Sequence, residues 1–92
     1  MTSETENWTA DRVVEVMRTL AKEDDLPAHL ISGEITGKDT VETLGIDSLG
    51  GAYLIERLED TTGVQMPDDF LDLTDDIDKI ALRLNNLIKS AG

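Results

Sequence analysis

The segment IDKIALRLNNLIK, residues 77–89, has the most regular hydrophobic pattern of the chain. Its apolar side chains recur at intervals of three and four residues, which is the spacing of one helix face: Ile77, Ile80, Ala81, Leu84, Leu87 and Ile88. Thr74 is a suitable N-cap, and Lys89 suits the last turn. The acids that suit the first turn are Asp75, Asp76 and Asp78. The pattern predicts an amphipathic helix that follows Thr74.

A second helix is predicted near the start of the chain. Its apolar positions again have helical spacing: Val13, Val14, Met17, Leu20 and Ala21. Either Asn7 or Thr9 can cap it. The helix should end within residues 23–25, because Pro27 disfavours a helical conformation at the residue before it.

A third helix is predicted from Ser48 to about Thr61. Its core stripe consists of Leu54, Ile55 and Leu58, and Ala52 would allow a neighbouring element to approach closely. Gly63 fits a left-handed residue that ends the helix.

The remaining segments complete the predicted architecture. Residues 68–73 suggest a short helix anchored by Phe70, Leu71 and Leu73, which would be third in chain order. Residues 26–47 have no sustained period, but six of their apolar residues predict a long loop lying over the core, with a helical turn at 27–31. These six are Leu26, Leu30, Ile31, Ile35, Val41 and Leu44. The expected fold is all-α: a small four-helix bundle with three main helices, one short third helix and a long loop between helices one and two. Residues 1–7 are expected to be disordered, and residues 8–90 to form a single domain.

Composition excludes several classes of function. The 92-residue chain has a net charge of −12, which disfavours binding to nucleic acid and favours partners with basic patches. It has no cysteine, so disulfides and thiolate metal sites are excluded. No apolar run approaches membrane-spanning length, and residues 1–4 lack the features of a signal peptide. A cytoplasmic monomer without membrane insertion is expected.

The most informative motif is Gly45-Ile46-Asp47-Ser48-Leu49, where a loop turns into a helix. Asp47 can cap the helix, and a helix start tolerates a phosphate, so Ser48 is a candidate attachment point. A serine hydrolase fits poorly, because the only histidine, His29, is in the irregular connection and the glycine pattern of a nucleophile elbow is missing. A calcium loop counted from Asp72 fails at its sixth and twelfth positions, so no metal site and no independent enzyme are predicted.

Leu44-Gly45-Ile46-Asp47-Ser48-Leu49, followed by an acidic helix and Gly63-Val64-Gln65-Met66-Pro67-Asp68, resembles the acyl carrier and peptidyl carrier protein family. The resemblance covers roughly Val13 to Ile88. It implies that a phosphopantetheinyl transferase attaches 4′-phosphopantetheine from coenzyme A to Ser48. The thiol of that arm would hold an acyl or aminoacyl thioester, so the chain would be a non-catalytic carrier.

The resemblance also implies partners and recognition residues. Loading enzymes and downstream synthases or transferases would dock through basic patches. The residues expected to take part in partner recognition are Asp47, Leu49, Tyr53, Glu56, Glu59 and Asp60. The acidic face of the second main helix could instead be merely solvated, and Tyr53 could line an acyl pocket or be only partly buried.

The chain departs from many fatty-acid carriers of this family at Tyr53, Glu56 and Thr62, where those carriers have an acid, an apolar residue and an aromatic. These departures favour a carrier for a specialised pathway, such as polyketide or nonribosomal peptide synthesis. Fatty-acid synthesis and an unmodified acidic interaction module are the alternatives.

Overall fold

The computed structural model describes residues 7–67 and 69–91. Within them the chain forms three α-helices and one short 3-10 helix: α1 (Ala10–Lys22), the 3-10 helix (Ala28–Leu30), α2 (Ser48–Thr62) and α3 (Ile77–Ala91). These residues contain an isolated β-bridge but no strand, so the prediction of an all-helical protein is confirmed. Of the segment predicted to be disordered, only Asn7 lies inside the described residues.

Helix α1 packs against both other helices and supplies a large part of the core. All five apolar residues predicted for its inner face are buried. Thr9 is the N-cap, since its side chain accepts a hydrogen bond from the amide of Arg12. Trp8, just before the cap, is also buried, and its backbone exchanges two hydrogen bonds with the Asn85 side chain on α3. These bonds join the start of α1 to the middle of α3.

Helix α2 buries Gly50, Leu54 and Leu58, which follow one another at intervals of four residues. The predicted close approach at Ala52 is wrong, because Ala52 is exposed on another side of the helix. The approach occurs at Gly50, where a Cβ atom would lie 2.9 Å from Leu26 Cδ2. Gly63 ends the helix with a φ of 74°, as its position predicted.

Helix α3 begins two residues later than a Thr74 cap requires. Asp76 caps it instead, accepting a hydrogen bond from the amide of Lys79, while the Thr74 hydroxyl donates to Asp72. Asp75 precedes the helix and is buried. Of the predicted core positions, the first four are buried and Leu87 and Ile88 pack partly buried against the core.

The short helix predicted for residues 68–73 is not formed by residues 69–73, and Asp68 lies outside the described part. The Phe70 amide donates to the carbonyl of Pro67, which makes a single turn. Arg83 of α3 donates to the Phe70 carbonyl, an oxygen that a continuing helix would need for itself. Phe70 is buried as predicted, but Leu73 is 51% exposed and anchors nothing in the core.

The two connections between helices are paired with each other. Val41 donates to the carbonyl of Asp75, Glu42 donates to the carbonyl of Leu73, and Thr40 and Asp76 form an antiparallel bridge. The connection between α1 and α2 also touches α1, since Arg18 donates to the carbonyls of Leu30 and Ile31. Both connections are thereby held together beside the start of α2.

Two neighbouring glycines of α2 should respond to alanine in opposite directions. Gly51→Ala should raise the free energy of unfolding by up to about 1 kcal/mol, because its new Cβ meets only Leu71 at 3.9 Å. Gly50→Ala should lower that free energy by about 1 kcal/mol, since overpacking against Leu26 outweighs the same gain in helix propensity. Urea denaturation of both variants measures the difference, and equal stabilisation by the two would contradict the tight packing at Gly50.

Candidate cofactor attachment site

Ser48 is the first residue of α2 and is exposed to solvent. The preceding residue fixes its backbone: Asp47 Oδ1 accepts the amide of Gly50 at 2.8 Å, and the Asp47 carbonyl accepts the amide of Gly51 at 2.8 Å. Ile46, one residue earlier, is only 2% exposed. The predicted cap is therefore present, and it holds an accessible hydroxyl at a rigid helix start.

The loop before Ser48 is built from tight backbone turns. Leu44 donates to the carbonyl of Thr40, Gly45 donates to that of Glu42, and Ile46 donates to that of Val41. Gly45 has a φ of 78°, a left-handed conformation that glycine adopts without steric cost. Because Leu44 and Ile46 on either side are buried, this turn fixes where the chain enters α2.

His29 is occupied elsewhere. Its Nε2 lies 3.0 Å from the carbonyl oxygen of Leu44, and because a carbonyl can only accept, Nε2 is the donor. The ring also lies against Gly45. The geometry gives His29 a structural role in the loop and does not place it as the base of a nucleophilic Ser48.

An open groove of about 730 Å³ lies beside Ser48, between α2 and the segment that leads to α3. Its apolar lining includes Val41, Ile55, Met66, Leu71 and Leu73. Asp47 and Ser48 also line the groove, at the point where α2 begins. Val41 and Met66 are buried, whereas Leu73 is largely exposed. The groove gives a group attached at Ser48 an adjacent surface on which to rest.

The acids predicted for partner recognition fall into two groups. Asp47, Glu56 and Glu59 line the groove, whereas Asp60 is exposed on α2 and does not line it. Glu59 also has a structural contact, because its Oε2 accepts the amide of Met66 at 2.7 Å. Its carboxylate therefore fixes the chain beyond α2 as well as charging the groove.

The two uncharged residues predicted for partner recognition differ in exposure. Leu49 is 61% exposed beside Ser48, as an apolar contact residue would be. Tyr53 is half-buried on α2 and is not part of the groove lining.

The wall of the groove opposite α2 is held by a buried carboxylate. Asp75 accepts two hydrogen bonds from the Arg83 guanidinium, of 2.6 and 3.2 Å, and one from the amide of Asp72 at 3.0 Å. The hydrogen bonds from Arg83 hold the pKa of Asp75 below its ordinary value, against the effect of burial. This pair fixes the segment that carries Leu71, Asp72 and Leu73.

The sequence pattern did not reveal Asp72, Leu71 and Leu73 as groove residues. The pattern predicts Leu71 and Leu73 as anchors of a helix, and it offers Asp72 only as the first position of a calcium loop that fails. The alternation in Leu71-Asp72-Leu73 is the one available signal for the two leucines, because an extended segment presents alternate residues to one side. It gives no signal for Asp72, which lines the groove with them.

The described residues form neither a group of metal ligands nor a membrane-spanning helix. Over 7–67 and 69–91, no three His, Asp or Glu side chains are grouped so that they could hold a metal ion. In the same part of the chain, no helix has the length and apolar character needed to cross a membrane.

Ser48 is thus an exposed serine at a capped helix start, beside an open groove. The chain belongs to the family described as "Phosphopantetheine attachment site", which matches residues 11–84. It is a carrier domain of the acyl and peptidyl carrier type, its cofactor is covalent 4′-phosphopantetheine, and such domains carry intermediates without catalysing their reactions. Comparison with curated proteins and with solved structures gave no significant match.

Proposed function

We propose that Ser48 is the residue that receives 4′-phosphopantetheine. The supporting observation is its position: it is the exposed first residue of α2, at the edge of the groove. The free amides at the start of a helix favour the negative charge of a phosphodiester. Asp47 and Gly50 hold the backbone there, so a transferase would meet a fixed hydroxyl.

Attachment replaces the Ser48 hydroxyl hydrogen with a phosphodiester to phosphopantetheine, and the nucleotide half of coenzyme A leaves as adenosine 3′,5′-bisphosphate. The arm supplies a thiol, which the cysteine-free chain itself does not have. This chain contributes the rigid helix start, the exposed hydroxyl and the adjacent groove. Activation of the hydroxyl belongs to the transferase, since His29 is bound to Leu44.

The proposed cargo is an acyl or aminoacyl group bound as a thioester, for a specialised biosynthetic pathway such as polyketide or nonribosomal peptide synthesis. Tyr53, Glu56 and Thr62 support this choice, because they differ from the residues of many fatty-acid carriers at those positions. Thr62 is half-buried, and its hydroxyl donates to the Leu58 carbonyl, so a polar side chain is accommodated there. The partners proposed are a phosphopantetheinyl transferase, a loading enzyme and a downstream synthase or transferase.

The test is incubation of the full chain with coenzyme A and a broad-specificity phosphopantetheinyl transferase. Intact-mass measurement should show the addition of one phosphopantetheine, and peptide mapping should locate it at Ser48. No added mass would favour an unmodified interaction module, and addition at another serine would overturn the assignment of Ser48.

The exposed acids of α2 should accelerate encounter with basic partner surfaces. Replacing both Glu56 and Asp60 by lysine should slow modification about tenfold at low salt, because electrostatic steering is lost, and the difference should shrink at high salt. Glu59 is left intact, since its contact with Met66 would mix structural and electrostatic effects.

The matched control reverses the same amount of charge away from α2, at Glu15 and Glu34, both exposed. Initial rates of phosphopantetheinylation are compared for the two double variants. Equal slowing in both would mean that total charge matters and that the face of α2 is only solvated.

A further inference from the structure

We propose that the groove beside Ser48 selects an arm-bound cargo that carries a positive charge, which makes an aminoacyl group with a free ammonium the matching class. The proposal rests on the proposed attachment at Ser48. It narrows the acyl or aminoacyl cargo to one chemical class by the charge of the surface next to the attachment point.

Four carboxylates line this groove, and they come from three parts of the chain. Asp47 lies at the start of α2, Glu56 and Glu59 lie along it, and Asp72 lies on the opposite wall. No lysine, arginine or histidine of the described residues is in that lining. Carboxylates are negatively charged at neutral pH, so the groove attracts a cation and repels an anion.

No arginine lines this groove, and neither salt bridge of the described residues involves one of its carboxylates. Arg12 lies over the Trp8 ring and Arg18 donates to carbonyls of the first connection. Arg57 pairs with Glu23, and Arg83 pairs with Asp75. Arg83 also attracts Asp72 on the opposite wall, but the carboxylates on the α2 side have no ion-pair partner among the described residues, so an ammonium on the cargo can supply one.

Apolar and acidic groups are mixed in the groove. Met66 and Val41 are buried, and Ile55 and Leu71 are half-buried, so methylene groups can rest on these side chains. Glu59 is half-buried next to Met66, and its position is fixed by the Met66 amide. A short chain with methylene groups and a terminal ammonium matches both features, whereas a terminal carboxylate meets four like charges.

Charge selection by the groove is tested by comparing three cargoes of similar size on the same arm. Transferase loads the ¹⁵N-labelled protein from β-alanyl-, butyryl- or malonyl-coenzyme A, and intact mass confirms each product. The β-alanyl and butyryl groups have the same shape and differ in charge. Amide chemical shifts at Gly51, Met66, Leu71 and Leu73 are then compared with those of the thiol form. The rate at which hydroxylamine cleaves each protein-bound thioester, divided by the rate for the same thioester of coenzyme A, gives a second measure of docking.

The β-alanyl group should shift these amides most and be cleaved most slowly, followed by butyryl and then malonyl. Its advantage over butyryl should shrink between roughly 0.1 M and about 1 M salt, where the screening length falls from about 10 to about 3 Å. Glu59→Gln, which keeps an acceptor for Met66, should lower the docking equilibrium of the β-alanyl group roughly two- to fivefold. Glu15→Gln, an exposed helical control outside the groove, should leave it unchanged.

Equal shifts and equal cleavage rates for the three cargoes would overturn charge selection, and so would a stronger response to malonyl. These results are distinct from failure of the attachment proposal, in which no thioester adds mass at Ser48.

Discussion

Ser48→Ala should abolish phosphopantetheinylation completely, because the alanine has no hydroxyl to form the phosphodiester. The fold should remain intact, since Ser48 is exposed and the helix cap is the carboxylate of Asp47. The free energy of unfolding should change by less than about 0.5 kcal/mol, as for other surface substitutions. Intact mass after incubation with coenzyme A and transferase gives the result, and urea denaturation checks the fold.

Ser32→Ala is the matched control, because Ser32 is also exposed but lies in the connection between α1 and α2. It should be modified to the same extent as the wild-type chain. Added mass on Ser48→Ala would show that another hydroxyl is the acceptor. Loss of modification in both variants would point to damage of the transferase docking surface.

The sequence was most informative where local rules and burial agree. The bounds of α2, the Asp47 cap and the Gly63 stop follow from residues close to one another in the chain. The exception is Ala52, where a small side chain suggested a close contact that Gly50 makes instead. Gly50 lies one turn before the buried Leu54, so helix periodicity could have identified it.

The start of α3 shows where local rules fail. The segment Asp72-Leu73-Thr74-Asp75-Asp76 offers several residues that can cap a helix, and short-range preference does not choose among them. The choice of Asp76 depends on contacts outside this segment, those of Asp75 with Arg83, which is eight residues further on, and with the distant backbone of Val41. The same contacts replace the predicted short helix by a turn.

Only one side of the candidate site, the start of α2, could be predicted from the sequence. Asp47 and Ser48 were found because a cap and a helix start are local features. The opposite wall of the groove, with Asp72 and Leu73, depends on the pairing of two connections more than 30 residues apart, as in the bond from Glu42 to Leu73. No periodic pattern encodes that pairing, and so the acidic character of the groove became visible only in the folded chain.

Arg83→Met should cause a large loss of stability. Asp75 is only 5% exposed, and removal of the guanidinium leaves its carboxylate buried with the backbone amide of Asp72 as the one donor that remains among the described residues. Breaking a fully buried pair costs about 3–5 kcal/mol, but 42% of the Arg83 side chain is exposed and solvent weakens the interaction. We therefore expect a loss of about 2–3 kcal/mol, or roughly 10–20 °C in the unfolding midpoint of so small a domain.

Arg57→Met is the control, because Arg57 forms an ion pair with Glu23 on the surface and its loss should leave the midpoint nearly unchanged.

The pH dependence of the stability loss tests whether Asp75 is the partner through which Arg83 stabilises the fold. The pKa of Asp75 is lowered by Arg83, so the pair stabilises the folded state above the ordinary value of 3.8 and this contribution disappears as the pH falls through the folded-state value. The difference between wild type and Arg83→Met should therefore be full at pH 7 and shrink below pH 3.8. A constant difference across that range would mean that Arg83 stabilises the fold through its bond to the Phe70 carbonyl and its packing, and not through the charge of Asp75.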